Sequence, residues 1–157
     1  MSQSSQFSLL KQLRFAPFFW TQFLGAMNDN VFKVAFSSLV TYHAALFGNA
    51  DPASAAFLIS AIFIAPFVLL SATSGQIADR MDKARLIRLV KTLEIAIMVI
   101  GCAGFALRHV ELLYLCTFLM GVHSTLFGPV KYAYLPQHLQ SAELVGGNGL
   151  VEMGTFV

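Results

Sequence analysis

The sequence predicts an all-α membrane protein, and three observations carry that prediction. Of its 157 residues, 57% are hydrophobic and 11% charged, where a soluble domain carries about 25% charged residues. Ala53 to Ala78 run twenty-six residues without a charge, and a helix needs about twenty apolar residues to cross a bilayer. The basic residues gather in particular loops and the net charge is only +2, a distribution that fits membrane topology and not a nucleic-acid partner.

The elements follow in order. Phe7 to Phe15 read as an amphipathic interfacial lead-in, with Lys11 and Arg14 for headgroups and the apolar side chains dipping inward. A first helix is expected over 17–42, opened by Pro17 in its first turn. Asn28-Asp29-Asn30 and Lys33 interrupt it where a cleavable signal segment would end cleanly, so it is read as a span. Gly48-Asn49-Ala50-Asp51-Pro52 mark a turn, after which Ser54 is the expected N-cap of a second helix over 54–77. Seven charged residues between Ile77 and Leu93 make a tight charged hairpin loop. A third helix is expected over 86–107, a fourth over 112–132, and a loop at Pro136 and Gln137–Glu143. A fifth, opened by Gly146-Gly147-Asn148-Gly149, covers 146–157 and is incomplete.

Alternate loops differ sharply in basic residues. Lys11, Arg14, Arg80, Lys83, Arg85, Arg88 and Lys91 lie on one side and Arg108 on the other, which predicts a cytoplasmic N-terminus and a cytoplasmic hairpin. Cys102 and Cys116 fall inside apolar segments without metal or disulfide spacing and are read as packing residues.

Four ionisable residues, Asp29, Lys33, Lys131 and Glu152, fall inside expected spans. At mid-depth each costs about 2.5–3.5 kcal/mol on insertion scales, so each needs a partner or a wet cavity. Gln22, Asp29, Lys33 and Ser37 share one stripe of the first helix, with Asn30 beside it. Thr117, Gly121, Ser124, Gly128 and Lys131 share a face of the fourth, and Asn148, Glu152 and Thr155 a face of the fifth. Asp29, Asn30, Lys33, Lys131 and Glu152 are therefore the candidate cavity residues, while the plainer fate for Lys131 is to reach the cytoplasmic surface. His123 is expected to make an interhelical hydrogen bond rather than relay protons. No phosphate-binding glycine loop, paired cysteines or serine elbow emerges, so no cofactor, metal or catalytic role is expected.

Gly75-Gln-Ile-Ala-Asp79-Arg80-Met-Asp82-Lys83-Ala-Arg85 has an intelligible chemistry as a gating hairpin. Gly75 permits close helix approach, Asp79 one turn later faces a helix N-terminus, and Arg80 and Arg85 lock the contact. The stretch resembles the signature between helices two and three of the major facilitator superfamily. Phe19–Lys33, Phe127–Pro136 and Gly147–Thr155 resemble a narrower branch, the bacterial lysophospholipid transporters, and these segments contain Asp29, Lys131 and Glu152.

The resemblance implies a twelve-helix transporter that moves lysophospholipids across the inner membrane for reacylation, by rocking of two bundles around a midplane site. Against that pattern the chain supplies an N-terminal fragment of about four and a half helices, with the remaining helices of the same protein as necessary partners. The other implied partners are the lysophospholipid substrate, membrane lipid, and an acyltransferase, separate or fused. Two alternatives stay open: a major facilitator exporter of small molecules or drugs, and the membrane part of a bifunctional lysophospholipid acyltransferase.

Overall fold

A computed structural model describes residues 6–47 and 51–156. A 3-10 turn, Gln6–Lys11, precedes α1, Ala16–Tyr42, and a second, Ala44–Phe47, follows it. Then come α2 (Pro52–Arg80), α3 (Lys83–Leu107), α4 (Val110–His138) and α5 (Leu144–Met153). Of the expected turn, Gly48-Asn49-Ala50 lie outside the described residues, as does Val157.

The expected boundaries shift for identifiable reasons. The N-cap of α2 is Asp51, not Ser54: its carboxylate accepts the Ser54 backbone N–H at 3.0 Å, with Pro52 just inside the helix. The charged segment is helical on both sides, so the α2–α3 connection shrinks to Met81 and Asp82. Asp82 caps α3 by accepting the Arg85 N–H at 2.9 Å, and the Lys83 ammonium donates back to the Ala78 carbonyl. The expected stop of α4 at Tyr132 is also wrong, for the helix continues through Pro136 to His138. A proline removes one backbone bond, a loss that membrane helices tolerate where neighbours or side chains compensate. Arg108, at φ 53°, ends α3 in the left-handed region. The His109 N–H bonds the Gly104 carbonyl at 2.9 Å and the Arg108 N–H bonds Phe105, the double closure of a Schellman motif.

The chain divides into two compact units, one formed by residues 32–130 and one by the segments up to 31 and from 131 onward. In the unit of residues 32–130, Phe32, Phe36 and Val40 of α1 pack with Ala55 and Ile59 of α2, Ile97 of α3, and Leu113, Cys116 and Met120 of α4. Phe36 meets Tyr114 edge-on at 5.1 Å. Gly121 is the tightest point. A Cβ there would stand 2.3 Å from the Phe63 carbonyl oxygen and 2.9 Å from Pro66 Cγ, so α4 touches the backbone of α2. The small-residue stripe of α4 is thus partly a packing seam: Thr117 is buried and donates to its own helix at Leu113.

Among the described residues three helices, α2, α3 and α4, are long and apolar enough to cross a membrane. Their outward residues are apolar too, with Phe57 82% and Val68 77% exposed. The 27 residues of α1 match them in length, but Gln22, Asn28, Asp29, Asn30 and Lys33 reduce its apolarity.

In the other unit the N-terminal segment is no mere interfacial lead-in. Leu9 and Phe15 are buried, and a Cβ at Gly147 would lie 2.3 Å from Leu139 and 3.7 Å from Phe15, so α5 accepts both side chains at a bare stretch of backbone. Arg14 fastens the segment, donating to the His138 carbonyl at 3.1 Å and to Glu143 Oε1 at 2.7 Å. Glu143 also accepts the Gln140 backbone N–H at 2.9 Å. That backbone bond, and after it the Arg14 side chain, hold the Glu143 carboxyl below the usual carboxylate range. A depressed acid stabilises fully above its unfolded value, about pH 4.3, and loses that contribution as pH falls through the lower folded value. Protection of the amides around Gln140–Glu143, relative to their intrinsic exchange rates, is therefore expected to fall below about pH 4, and Arg14→Gln is expected to show lower protection there already at neutral pH.

Candidate transport site

Of the five predicted cavity residues, Lys131 and Glu152 meet directly. Lys131, near the end of α4, is 9% exposed, and its ammonium stands 3.2 Å from Glu152 Oε1 on α5. Lys131 does not run to the surface, because Thr155 receives it as well: the ammonium donates to Thr155 Oγ1 at 3.2 Å. Gln22 of α1 reaches the same hydroxyl oxygen at 2.9 Å and the Val151 carbonyl at 3.2 Å. The Tyr132 hydroxyl donates to Glu152, and the Lys131 ammonium lies 5.0 Å from the Tyr132 ring centroid. Gln22, Lys131, Tyr132, Glu152 and Thr155 thus form one polar node built from three helices. Of these, Tyr132 was missed because an aromatic beside a charge reads as packing. Asn148, expected on the same stripe, instead donates to the Leu144 carbonyl of its own helix at 2.9 Å.

The node pairs a cation buried among proteinaceous oxygens with a carboxylate whose side chain is 40% exposed. A carboxylate reached by water is the partner that can be exchanged. An anionic ligand group can replace Glu152 at Lys131 without first drying out a fully buried acid.

The other candidates are placed differently. Asp29 is buried in the same unit, on α1 two turns past Gln22, and Asn30 is half-buried next to it. Lys33 belongs to the unit of residues 32–130, where its ammonium lies 4.5 Å from the Phe63 ring centroid. It also borders an open depression of about 360 Å³ with Ser37, Ser38 and Thr41.

The hairpin departs from its expected chemistry. No atom lies within 4 Å of a Cβ built on Gly75, so among the described residues no helix uses that glycine for close approach. Asp79, Arg80 and Arg85 are exposed and enter no ion pair among the described residues. The turn is held by Asp82 and Lys83 instead.

One charged residue of the apolar region escaped the sequence reading. Glu94 lies in α3 with Lys91 2.7 Å away and His123 of α4 3.3 Å away. The signal was present: Glu94 is the one acid between Asp82 and Glu111. Starting the helix at Leu86 left its charges in the first turns, whereas the helix from Lys83 puts Glu94 three turns inside. His123 approaches this carboxylate across the helices, at 3.3 Å, without the aligned hydrogen bond expected of it.

Residues 4–156 match the family described as transmembrane secretion effector, a branch of the major facilitator superfamily. The chain belongs to that family. Among curated relatives it is 30% identical over 135 residues to the lysophospholipid transporter LplT of Serratia proteamaculans, a match covering 86% of this chain and 31% of the relative. It is 29% identical to the transporter of that name in Yersinia enterocolitica, covering 86% of the chain and 30% of the relative. The Salmonella newport protein is 28% identical over 136 residues, again 86% of the chain and 31% of the relative. The chain thus spans about a third of the length of the relatives it matches. No solved structure matches. Family membership and the apolar helices together make this a multi-pass membrane protein of the major facilitator type.

Proposed function

We propose that the chain forms the amino-terminal wall of a transporter that moves lysophospholipids across a bacterial inner membrane for reacylation, with its N-terminus cytoplasmic. The observation that carries the reading is the Lys131–Glu152 pair, a buried lysine held with Thr155 and Gln22 against a water-reached carboxylate, in a chain whose relatives are lysophospholipid transporters. A lysophospholipid brings a phosphate to Lys131 and, in the ethanolamine type, an ammonium to Glu152. The single acyl chain follows the apolar helix faces. Asp29, Asn30 and Lys33 extend the wall along α1. The exposed Asp79, Arg80 and Arg85, with Gly75, are left to engage the rest of the protein when its bundles rock. The basic residues of the N-terminal segment and the α2–α3 turn support the orientation.

The family description favours one second reading, an exporter of small molecules. Full-length protein in proteoliposomes separates the two. Uptake of a labelled lysophosphatidylethanolamine is expected to be inhibited by unlabelled lysophospholipid and not by organic cations, and the reverse pattern selects the exporter. An acyltransferase that consumes the delivered lipid is a fused domain if a His-x4-Asp motif follows the last helix, and a separate partner if none does.

A further inference from the structure

The Lys91, Glu94 and His123 cluster lies within the unit of residues 32–130 and is separate in chemistry from the Lys131 node. Lys91 and His123 approach the same oxygen of Glu94, Oε2, at 2.7 and 3.3 Å. The three side chains are 19%, 13% and 4% exposed for lysine, glutamate and histidine. Phe127 lines the site: its ring lies parallel to the imidazole, tilted by 4° with centroids 6.4 Å apart, and the Lys91 ammonium stands 4.7 Å from its centroid. Lys91 from α3 and His123 from α4 both face Glu94. His123 Nε2 is within ion-pair reach of the carboxylate, yet neither ring nitrogen has an aligned hydrogen-bond partner among the described residues. A buried neutral imidazole in that position has unmet hydrogen-bonding capacity, and protonation is the change that turns its approach to Glu94 into a charge-assisted contact.

We propose that His123 is a proton-binding site set between Glu94 and Phe127. With the imidazole neutral, the Lys91 and Glu94 charges cancel. One proton from hydronium forms an N–H bond at the ring nitrogen that carries the lone pair, the O–H bond of the donor breaks, and a neutral water leaves. Glu94 then bridges a cation on its own helix and a cation on α4. Acid strengthens the link between α3 and α4, and alkali returns it to one ion pair within α3. In a transporter this couples a helix contact inside the membrane to pH. The site itself stands whether or not lysophospholipid is the substrate.

The two neighbours must shift the proton affinity in opposite directions. Histidine Cε1 NMR shifts, followed against pH on the full-length protein in lipid nanodiscs and assigned with His123→Gln, read this without any transport assay. The His123 shift is expected to respond to pH, and its response should be displaced one way in Glu94→Gln, by removal of the adjacent anion, and the opposite way in Lys91→Gln, by removal of the cation. If Glu94→Gln does not fold, Glu94→Asp, which draws the charge back by one methylene, should displace it the same way by less. A His123 shift that does not respond to pH, a response indifferent to these substitutions, or displacements of one sign in both the Glu94 and Lys91 variants would overturn the assignment.

Discussion

Gly121→Val is expected to leave little or no folded protein, and Gly121→Ala to lower stability by about 2–3 kcal/mol or more, at or beyond the upper end of ordinary overpacking. The first added atom would stand 2.3 Å from a backbone oxygen of α2, with the Pro66 ring at 2.9 Å. Neither neighbour is the loose end of a flexible side chain, so relief requires moving a whole helix. Detergent-denaturation titrations of the purified full-length protein would measure the loss. Gly128→Ala is the internal control: it lies two turns further along α4 with nothing within 4 Å of its new methyl. It should stay within about 0.5 kcal/mol of the parent. Equal stability of the two alanine variants would show that α2 and α4 do not cross at Gly121.

The Lys131–Glu152 pair should respond unequally to loss of either partner. Glu152→Ala strands an ammonium that is 9% exposed, and an uncompensated buried charge costs about 3 kcal/mol or more. Lys131→Ala strands a carboxylate that is 40% exposed and still bonded by the Tyr132 hydroxyl, so its stability cost should be about 1 kcal/mol after solvent screening. Transport should rank the other way. Lys131→Ala is expected to reduce lysophospholipid uptake at least about tenfold, the equivalent of one lost charge-assisted contact of about 1.4 kcal/mol or more. Exchanging the two residues should restore much of the stability and little of the uptake. Wild-type uptake by Lys131→Ala at normal expression would remove Lys131 from the site.

What could be read from the sequence was whatever depended on hydropathy and spacing along one helix. The charge-free run of α2 and the four-residue spacings on α1 survive as a spanning helix and a helical stripe. Lys131 and Glu152, flagged only as charges in apolar segments, prove to be each other's partner. What could not be read were the facts decided between helices. Nothing in the local pattern says that Gly121 meets a backbone while Gly75 meets nothing, since both are glycines in apolar helices. Helix ends failed where polar residues were taken as loop. Arg80 still belongs to α2, Lys83 and Arg85 are helical because Asp82 caps the next helix at once, and membrane helices accommodate a proline such as Pro136 that would end a helix in water.

The two compact units differ in how their residues are spaced along the chain, and this bears on the order in which a ribosome can deliver them. The unit of residues 32–130 is one continuous stretch, so its packing needs no segment from outside that stretch. The other unit needs residues up to 31 to wait for residues from 131 onward. Through the synthesis of about a hundred intervening residues, at about 5–20 per second, Phe15 lacks the α5 backbone it packs on and Arg14 lacks Glu143. The polar node is completed only when Glu152 and Thr155 emerge to meet a Lys131 already placed in α4. During that interval the buried lysine is without its counter-charge, and this is the stage at which an insertion chaperone has most to protect.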